Sequence, residues 1–320
     1  MSALSSTIDR ARAHPRHIVL PEGKDARIVE AGSRRAVNAA LQKHAAGSAG
    51  IEIIDPDSTD RFSAYADANY DMREHKAGSR DGAMAAMRLP LDFAAMMLRQ
   101  GDADGMVAGA TKPTADVIRT AKRIVGLSSA EGLVSSFFLM VLDREHHERK
   151  GSFVFADCGL TVEPDAHEMA EIAVSSARSF QVLTGEVPKV CMLSFSTQGS
   201  PRHERVTKVV KATRLVRQID PAILVDGEMQ FDAAFDVMVN ASKAPQSVTR
   251  GEANVFVFPS LESANIGYKI AQRIGGATAI GPNLQGLAKP ANDLSRGCTA
   301  EDVYNLIAVT VVQAASAGSS

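Results

Sequence analysis

Short apolar runs alternate with longer amphipathic segments along most of the chain. Each run is bounded by glycine, proline or aspartate, a pattern that is typical of buried β-strands. The runs predict strands at His17–Leu20, Ile51–Ile54, Gly105–Ala108, Phe137–Leu142, Phe153–Ala156, Val190–Phe195, Ile223–Val225, Val255–Phe258 and Ala277–Ile280.

The longer segments have helical spacing, and they lie between most of the predicted strands. Strands that alternate with helices require crossover connections, which indicate a mostly parallel sheet with helices on both faces. The sequence therefore predicts an α/β protein. The predicted helices are Ala26–Ala45, Pro164–Phe180, Arg202–Gln218, Phe231–Ser242, Leu261–Ile274 and Thr299–Ala317.

One pair of strands departs from this pattern. The linker Asp143–Ser152, between Phe137–Leu142 and Phe153–Ala156, is too short for a crossover helix, so these strands are predicted to form an antiparallel hairpin. We divide the chain near this hairpin. The first α/β domain is expected to comprise residues 1–130 and, through the C-terminal helix, residues 290–320; the second α/β domain is expected to comprise residues 131–289.

The charge balance bears on the partners of the protein. Lys and Arg number 35 against 37 Asp and Glu, a formal net charge of -2. Nucleic acids and membrane surfaces attract proteins with a basic excess, so neither is expected as a partner, and no segment is long enough for a membrane span. The three cysteines are odd in number and have no metal-ligand spacing, which favours a reducing, cytoplasmic location.

Three motifs that suggest ligand sites are interpreted as structural. His146 and His147 are adjacent in a charged run, and because neighbours in sequence point in different directions, a solvated hairpin turn is expected rather than a metal site. The glycine pair Gly275-Gly276 lacks the spacing of a dinucleotide fingerprint, and Lys24 lacks the glycine-rich approach of a Walker loop. We therefore expect no metal and no nucleotide cofactor bound by these motifs.

The segment with candidate catalytic and binding residues is 281–302, GPNLQGLAKPANDLSRGCTAED. The segment leaves the carboxyl end of the predicted strand Ala277–Ile280, and ligands of open α/β sheets bind at such ends. Ser295 and Arg296 come just before the final helix, whose predicted N-cap is Thr299. A helix N-terminus with free N–H groups, an arginine and a hydroxyl is a competent phosphate site. A merely structural loop is the alternative.

The segment 257–298, VFPSLESANIGYKIAQRIGGATAIGPNLQGLAKPANDLSRGC, resembles the signature region of the phosphate acetyl/butyryl transferase family. The resemblance covers essentially the whole chain and is greatest to the acetyltransferase branch. It implies a two-domain, three-layer α/β/α fold with an active-site cleft between the domains, a homodimer, and no tightly bound cofactor. Further family blocks follow in order: LPEG with Asp25 and Arg27, GATKPTADVIR (109–119), FADCGLTVEPDA (155–166), SFSTQGS (194–200) and VDGEMQFDAA (225–234).

The resemblance implies reversible transfer of an acetyl group between coenzyme A and inorganic phosphate, with coenzyme A as a substrate. Asp302 matches the general base proposed for the thiol of coenzyme A, whose thiolate attacks acetyl phosphate directly. Ser295 matches the donor to the acetyl carbonyl, and Arg296 matches the arginine that holds the phosphoryl group. The positions that match substrate and coenzyme A binding are Arg73, Arg119, Thr114, Arg296 and Lys289.

Three alternatives stay open. Asp302 lies three residues after Thr299, which is the spacing of a capping arrangement. Phosphate butyryl transfer, or relaxed short-chain specificity, differs from acetyl transfer by methylenes that contribute only about 1–3 kcal/mol of discrimination. A non-catalytic regulatory module that binds coenzyme A derivatives is a further possibility in this family, and the presence of Ser295, Arg296 and Asp302 argues against it.

Overall fold

A computed structural model describes residues 3–33, 52–72, 79–129, 131–199 and 202–317. The chain divides into two compact units. The first, here called the N-terminal unit, is formed by Thr7–Ser128 with Leu287–Ser320. The second, here called the central unit, is formed by Ser129–Gly286 with Met1–Ser6.

Helices and strands alternate along both units. The described helices are α1 (Ala3–Ala13), α2 (Ala26–Ser33), α3 (Phe62–Asp71), α4 (Arg80–Met87), α5 (Pro90–Gln100), α6 (Thr114–Thr120), a π-helix (Ala121–Val125), α7 (Ala166–Thr184), α8 (Glu204–Ile219), α9 (Phe231–Phe235), α10 (Val237–Lys243), α11 (Leu261–Arg273) and α12 (Ala300–Ala317). The described strands are β1 (Ile18–Val19), β2 (Gly105–Ala108), β3 (Ser135–Leu142), β4 (Gly151–Ala156), β5 (Lys189–Leu193), β6 (Leu224–Met229), β7 (Val255–Val257), β8 (Thr278–Gln285) and β9 (Ala291–Asp293).

The N-terminal unit contains a three-stranded parallel sheet with the order β1-β2-β9. Met106 of β2 lies opposite Ala291 of β9. Residues two apart in a strand face the same side of the sheet. Met106 and Ala108 of β2 both pack into the core cluster that contains residues of α5. On the other face, Gly105 lies against Thr310 of α12. Helices therefore cover both faces of this sheet.

Helix α5 is the buried helix of the N-terminal unit. Pro90 occupies its first turn, every residue from Leu91 to Leu98 is buried, and Gly101 ends the helix in the left-handed conformation with φ of 89°. The one acid in this stretch, Asp92, accepts hydrogen bonds from Thr120 (2.9 Å) and from Arg123 (2.5 Å). These bonds connect α5 to the end of α6 and to the π-helix.

The central unit contains a six-stranded sheet with the order β6-β5-β7-β4-β3-β8. Strands β6, β5, β7 and β4 are parallel, whereas β3 runs antiparallel to both of its neighbours. Leu139 of β3 lies opposite Val154 of β4, so the predicted hairpin is confirmed. Both sheets together are mostly parallel, as predicted.

Helices cover both faces of the central sheet. Phe138 and Met140 of β3 share an aromatic-rich core cluster with Phe256 of β7 and with residues of α9 and α10. Helices α7 and α8 also contact the strands but contribute no residue to this cluster, so they lie on the opposite face. The central unit thus has the predicted three-layer α/β/α arrangement.

Two strand predictions need correction. Of the predicted strand Ile51–Ile54, the described residues 52–54 form no strand, and Ile53 is 93% exposed. Ile54 packs against the core cluster of the N-terminal unit, but a turn at residues 56–58 follows, so the segment does not extend beside a neighbouring strand. Strand β9 was not predicted, because Asn292 and Asp293 give it a polar composition.

Two helix predictions also differ from the structure. The predicted helix Phe231–Ser242 is divided into α9 and α10, because the Asp236 side chain accepts hydrogen bonds from the N–H groups of Met238 and Val239 and so starts a new helix. The predicted helix Ala26–Ala45 begins as α2, and its residues 34–45 lie outside the described residues.

Arg149 holds the β3–β4 hairpin against the rest of the central unit. Its guanidinium lies 4.9 Å and 5.0 Å from the ring centroids of Phe153 and Phe235. It donates to the backbone carbonyls of Phe235 (3.2 Å), Gly251 (3.4 Å) and Glu252 (2.8 Å). Burial lowers the pKa of Arg149, but an arginine remains charged at neutral pH.

We expect the substitution Arg149→Ala to lower the free energy of unfolding by about 2–4 kcal/mol. Three carbonyls lose their charged donor and two rings lose a cation contact. Urea unfolding followed by circular dichroism measures the loss. The control is Lys150→Ala at the exposed neighbouring position, with an expected change within about 0.5 kcal/mol. Equal effects of the two substitutions would contradict the role given to Arg149.

Candidate active site

Three loops leave the carboxyl ends of the three strands described in the N-terminal unit. The first loop is Leu20–Asp25 after β1, the second loop is Gly109–Pro113 after β2, and the third loop is Leu294–Thr299 after β9. The carboxyl ends of parallel strands meet at one edge of the sheet, where open α/β sheets bind ligands. The third loop, with its predicted site residues, therefore lies beside the other two.

Glu22 of the first loop organises the second loop. Its Oε2 accepts hydrogen bonds from the N–H groups of Gly109 (2.9 Å) and Ala110 (2.7 Å). Its Oε1 accepts from the N–H groups of Thr111 (2.8 Å) and Lys112 (3.0 Å) and from the Thr111 hydroxyl (2.7 Å). Glu22 is buried, and these donors are the kind that stabilise a buried carboxylate as an anion.

Arg27 of α2 connects all three loops. Its guanidinium donates to both carboxylate oxygens of Asp25, at 2.9 Å and 2.7 Å, and to the carbonyl of Ala110 at 2.8 Å. It also donates to the carbonyls of Arg296 (2.8 Å) and Cys298 (3.1 Å) in the third loop. The hydrogen bond from Arg27 lowers the pKa of Asp25 to about 2, so this pair stays ionised at neutral pH.

The third loop presents Ser295 and Arg296 as exposed residues. The Ser295 hydroxyl accepts a hydrogen bond from the N–H of Gly297 (3.3 Å), and the Ser295 carbonyl accepts one from the N–H of Cys298 (2.9 Å). The hydroxyl hydrogen of Ser295 therefore remains free to donate. Within the described residues, the Arg296 guanidinium forms no hydrogen bond or ion pair.

Asp302 lies in the first turn of α12 and caps it together with Thr299. Its Oδ2 accepts hydrogen bonds from the N–H (2.8 Å) and the hydroxyl (2.9 Å) of Thr299, and its own N–H donates to that hydroxyl at 3.2 Å. The capping arrangement is thus confirmed. Its other oxygen, Oδ1, accepts no hydrogen bond from the described residues, so a capping Asp302 still has an oxygen that can take a proton.

Thr114 is the first residue of α6 and is held by a buried acid. The Thr114 hydroxyl lies 2.7 Å from Oδ2 of Asp293, the last residue of β9. The N–H of Leu294 donates to the carbonyl of Ala108 at 2.7 Å, which joins the ends of β2 and β9. Thr114 is therefore fixed beside the start of the third loop. Burial, followed by the charge of Glu22, raises the pKa of Asp293 to about 7.

The remaining predicted site residues are not part of this cluster. Arg119 is exposed at the end of α6, where it forms an ion pair with Asp116 at 2.8 Å. Lys289 precedes β9, and its Nζ lies near Gly101, which precedes β2. Lys289 is thus at the opposite edge of the sheet from Ser295. Arg73 lies outside the described residues, and the roles of all three stay predictions.

Sequence reasoning missed the residues that build the site, namely Glu22, Arg27 and Asp293. Glu22 and Arg27 were noted only as parts of a family block. An acid among Gly and Pro directly after a strand was the available signal for Glu22. Asp293 gave no such signal, because its partner Thr114 is 179 residues away in the chain.

Cys298 contacts the same arginine but remains a thiol. Its Sγ lies 3.6 Å from Nη1 of Arg27. Burial raises the pKa of Cys298, and the nearby Arg27 charge opposes this effect. The raised pKa keeps Cys298 in the thiol form, which is a poor nucleophile.

The described residues contain no group of three or more His, Cys, Asp or Glu arranged to hold a metal ion. His146 and His147, in the β3–β4 turn, both direct Nε2 at the carbonyl of Gly275, at 2.9 Å and 2.8 Å. None of the described helices combines the length and apolar character needed to cross a bilayer.

The arrangement of the third loop suits chemistry on a small anionic substrate. A free guanidinium can grip two oxygens of a phosphoryl group, a free hydroxyl can donate to a developing oxyanion, and a carboxylate a few residues away can take a proton. Arg27 and Glu22 hold this loop and its neighbour in place through backbone contacts, which is the support that a catalytic constellation requires.

Comparison with known proteins gives a consistent result. A family model described as phosphate acetyl/butaryl transferase matches residues 2–311. The phosphate acetyltransferase of Paracoccus denitrificans is 46% identical over 318 residues, covering 98% of this chain and 99% of the relative. That of Acetivibrio thermocellus is 42% identical over 327 residues, covering 98% of each.

Solved structures agree with the sequence relatives. The EutD phosphotransacetylase from Staphylococcus aureus superposes with a TM-score of 0.85 at 38% identity, covering 98% of this chain and 100% of that chain. A phosphotransacetylase from Streptococcus pyogenes gives a TM-score of 0.85 at 40% identity, covering 99% and 98%.

We expect Glu22→Gln to lower the free energy of unfolding by about 2–4 kcal/mol. The substitution removes the charge that five donors stabilise and turns an amide group toward backbone N–H groups. Chemical denaturation measures the loss, and amide hydrogen exchange is expected to become faster at residues 109–112. The exposed Glu52→Gln serves as the control. Unchanged exchange in the second loop would rule out the anchoring role.

Proposed function

This chain belongs to the phosphate acetyl/butyryl transferase family, and we propose that it catalyses reversible transfer of an acetyl group between coenzyme A and inorganic phosphate. It is an acyltransferase. At the level of residues, the proposal rests on the positions of Ser295 and Arg296 in the third loop and of Asp302 in the first helical turn after it. The curated relatives with this activity cover nearly all of the chain.

Asp302 begins the proposed reaction as a general base. A thiol with a pKa near 8.5 is only partly ionised at neutral pH, so a base beside it increases the reactive fraction. Asp302 uses Oδ2 to bind Thr299, and Oδ1 takes the proton from the thiol of coenzyme A. In the reverse direction the same oxygen returns that proton to the leaving thiolate.

The thiolate then attacks the carbonyl carbon of acetyl phosphate directly. A carbon–sulfur bond forms, the bond from that carbon to the bridging phosphate oxygen breaks, and phosphate leaves with the electron pair. The Ser295 hydroxyl, whose hydrogen is free, donates to the carbonyl oxygen as it becomes tetrahedral. The Arg296 guanidinium holds the phosphoryl group and stabilises the charge that it gains on leaving.

The substrates are small molecules, and coenzyme A is a substrate rather than a resident cofactor. We assign the contact with the phosphoryl group to Thr114 as well as Arg296, since Thr114 is held beside the start of the third loop. Arg73, Arg119 and Lys289 are assigned to coenzyme A, on the family positions that they match. No tightly bound cofactor takes part in this scheme.

We further propose a cytoplasmic homodimer whose two domains are residues 1–130 with 290–320 and residues 131–289. Three free, buried cysteines fit a reducing compartment. Helix α11 supports the homodimer, because Ile266 and Ile270 on it, and Ile274 directly after it, are 58%, 53% and 83% exposed. Their spacing of four residues places them on one face, and an apolar stripe of this kind is a typical subunit contact.

We expect Asp302→Asn, Arg296→Gln and Ser295→Ala each to reduce kcat for acetyl-coenzyme A formation by about 10²–10⁴-fold. Loss of free thiol with acetyl phosphate and coenzyme A measures the rate. The matched controls are Asp81→Asn, an exposed acid in the first turn of α4, and Arg273→Gln, an exposed arginine. A wild-type protein that binds coenzyme A but consumes no thiol would overturn the catalytic proposal in favour of a regulatory module.

Thr299→Ala separates the capping role of Asp302 from its role as a base. If Asp302 only caps α12, then Thr299→Ala and Asp302→Asn should both cost about 1 kcal/mol of stability and leave kcat nearly unchanged. If Asp302 is the base, only Asp302→Asn should abolish turnover. Rates with acetyl, propionyl and butyryl phosphate, measured side by side, test acetyl preference against relaxed acyl specificity.

We expect Ile270→Glu to convert the dimer to a monomer, because a charge placed in the centre of the apolar stripe would be buried without a partner. Sedimentation equilibrium measures the mass in solution. The control is Ile53→Glu, at an apolar side chain that is 93% exposed and outside the stripe. Retention of the dimer by the Ile270→Glu variant would exclude this face as the contact.

A further inference from the structure

Asp293 is a buried acid to which the proposed acyl transfer gives no role. Its side chain is only 1% exposed, and it ends β9 two residues before Ser295. Its Oδ2 contacts the Thr114 hydroxyl at 2.7 Å, whereas Oδ1 has no hydrogen-bond partner among the described residues. A buried carboxylate ordinarily accepts several hydrogen bonds, so Asp293 is poorly supported as an anion.

Glu22 has the opposite environment. The N–H groups of the second loop all donate to it, and none is left for Asp293. Gly109 lies between the two acids: its N–H donates to Glu22, and a Cβ at Gly109 would lie 2.3 Å from Oδ1 of Asp293. Two acids therefore lie against one loop, and all of the backbone N–H groups of that loop donate to Glu22.

The charges around Asp293 also favour its neutral form. Among the described residues, Glu22 is the titratable group whose charge acts on Asp293, and no cation does so. The guanidinium of Arg27 is occupied by Asp25 and by backbone carbonyls. Burial and Glu22 together outweigh the Thr114 hydroxyl and the Leu294 N–H, and the pKa of Asp293 is raised to about 7.

We propose that Asp293 is a positioning residue that carries a proton when substrate phosphate binds, and that this proton sets the direction of the Thr114 hydroxyl. The inference rests on the proposed function, in which Thr114 contacts the phosphoryl group. A protonated Asp293 donates from Oδ2 to the Thr114 oxygen, and the hydrogen of Thr114 is then free to donate to a phosphoryl oxygen. No bond other than these hydrogen bonds changes.

An ionised Asp293 reverses this hydrogen bond. The carboxylate takes the hydrogen of Thr114 for itself, and Thr114 then presents only lone pairs to the substrate. The added negative charge also repels the phosphoryl group. Binding of phosphate and of acetyl phosphate is therefore expected to weaken as the pH rises through the ionisation of Asp293, when its proton passes to solvent.

The first test measures KM for acetyl phosphate between pH 6 and pH 8, at saturating coenzyme A. For an acid that titrates near pH 7, the wild-type KM should rise about tenfold over this range. In Asp293→Asn the amide donates to Thr114 at every pH, so KM should stay within about twofold of its value at pH 6. Ionisation of acetyl phosphate itself affects every variant alike.

Two substitutions of Thr114 complete the set. Thr114→Val keeps the shape and removes the hydroxyl, so KM should already be high at pH 6 and should rise with pH less than the wild-type KM does, since only the repulsion by Asp293 remains. Thr114→Ser keeps the hydroxyl and should preserve the wild-type slope. An Asp293→Asn variant with the wild-type slope would overturn the inference, and so would a Thr114→Val variant that binds acetyl phosphate normally at pH 6.

A second test needs no turnover. Inorganic phosphate ionises in the same pH range in every variant, so its effect on Tm is compared between the wild-type protein and Asp293→Asn. Since stabilisation follows affinity, the phosphate-induced rise in Tm should fall from pH 6 to pH 8 more steeply in the wild-type protein than in the variant. Without ligand, the raised pKa of Asp293 gives stability that is present below pH 4 and lost as pH rises through 7, and Asp293→Asn should flatten this decline. An undiminished decline in the variant would also overturn the inference.

The two tests distinguish failure of this inference from failure of the proposed function. If the wild-type protein consumes no thiol but its phosphate-induced Tm shift depends on Asp293 and pH, the acyl transfer is wrong and the role of Asp293 stands. If acyl transfer proceeds and neither KM nor the Tm shift responds to Asp293→Asn, the acyl transfer stands and the role of Asp293 is wrong.

Discussion

The buried carboxylate of Glu22 is the constraint on which the site depends. Without Glu22 the second loop would have four unpaired backbone N–H groups, and those of the buried residues Gly109 and Ala110 would each cost about 1–3 kcal/mol if left without a partner. Glu22 satisfies all of them at once. Arg27 extends this arrangement to the third loop by binding the carbonyls of Arg296 and Cys298. The exposed side chains of Ser295 and Arg296 are therefore carried by a backbone that Arg27 holds in place.

In the central unit, acids at the ends of two strands also accept hydrogen bonds from a loop. Asp157, directly after β4, accepts hydrogen bonds from the N–H groups of Gly159, Leu160 and Thr161. Glu228, at the end of β6, accepts from the Ser196 hydroxyl and from an N–H of the loop after β5. In both units a buried acid shapes a loop through the N–H groups of its backbone. Hydrogen bonds of this kind limit the conformations open to a loop, which is the support that a binding or catalytic site requires.

Local features of the fold could be predicted from the sequence, and contacts between distant residues could not. The hairpin of β3 and β4 followed from a linker too short for a helix, and the start of α12 followed from Thr299 as a cap. Ser295, Arg296 and Asp302 could be proposed from the sequence because all three lie within residues 281–302, most of which belong to the signature region. In contrast, Glu22 accepts hydrogen bonds from residues 109–112, which are 87 to 90 positions away in the chain. Thr114 bonds to Asp293, which is 179 positions away. Periodicity and spacing contain no information about such pairs, and the polar strand β9 was missed for the related reason that its burial depends on neighbours distant in the chain.

Because Glu22 accepts from every N–H group of the second loop, it affects how tightly phosphate can be bound. Many phosphate sites hold the anion with a ring of backbone N–H groups, and such a ring binds tightly and releases slowly. Here an internal carboxylate occupies the N–H groups of the second loop, so this loop can offer phosphate only its side chains. A transferase that runs in both directions gains from this arrangement, since a deep energy well for phosphate would slow its release in one direction without speeding the chemical step in the other.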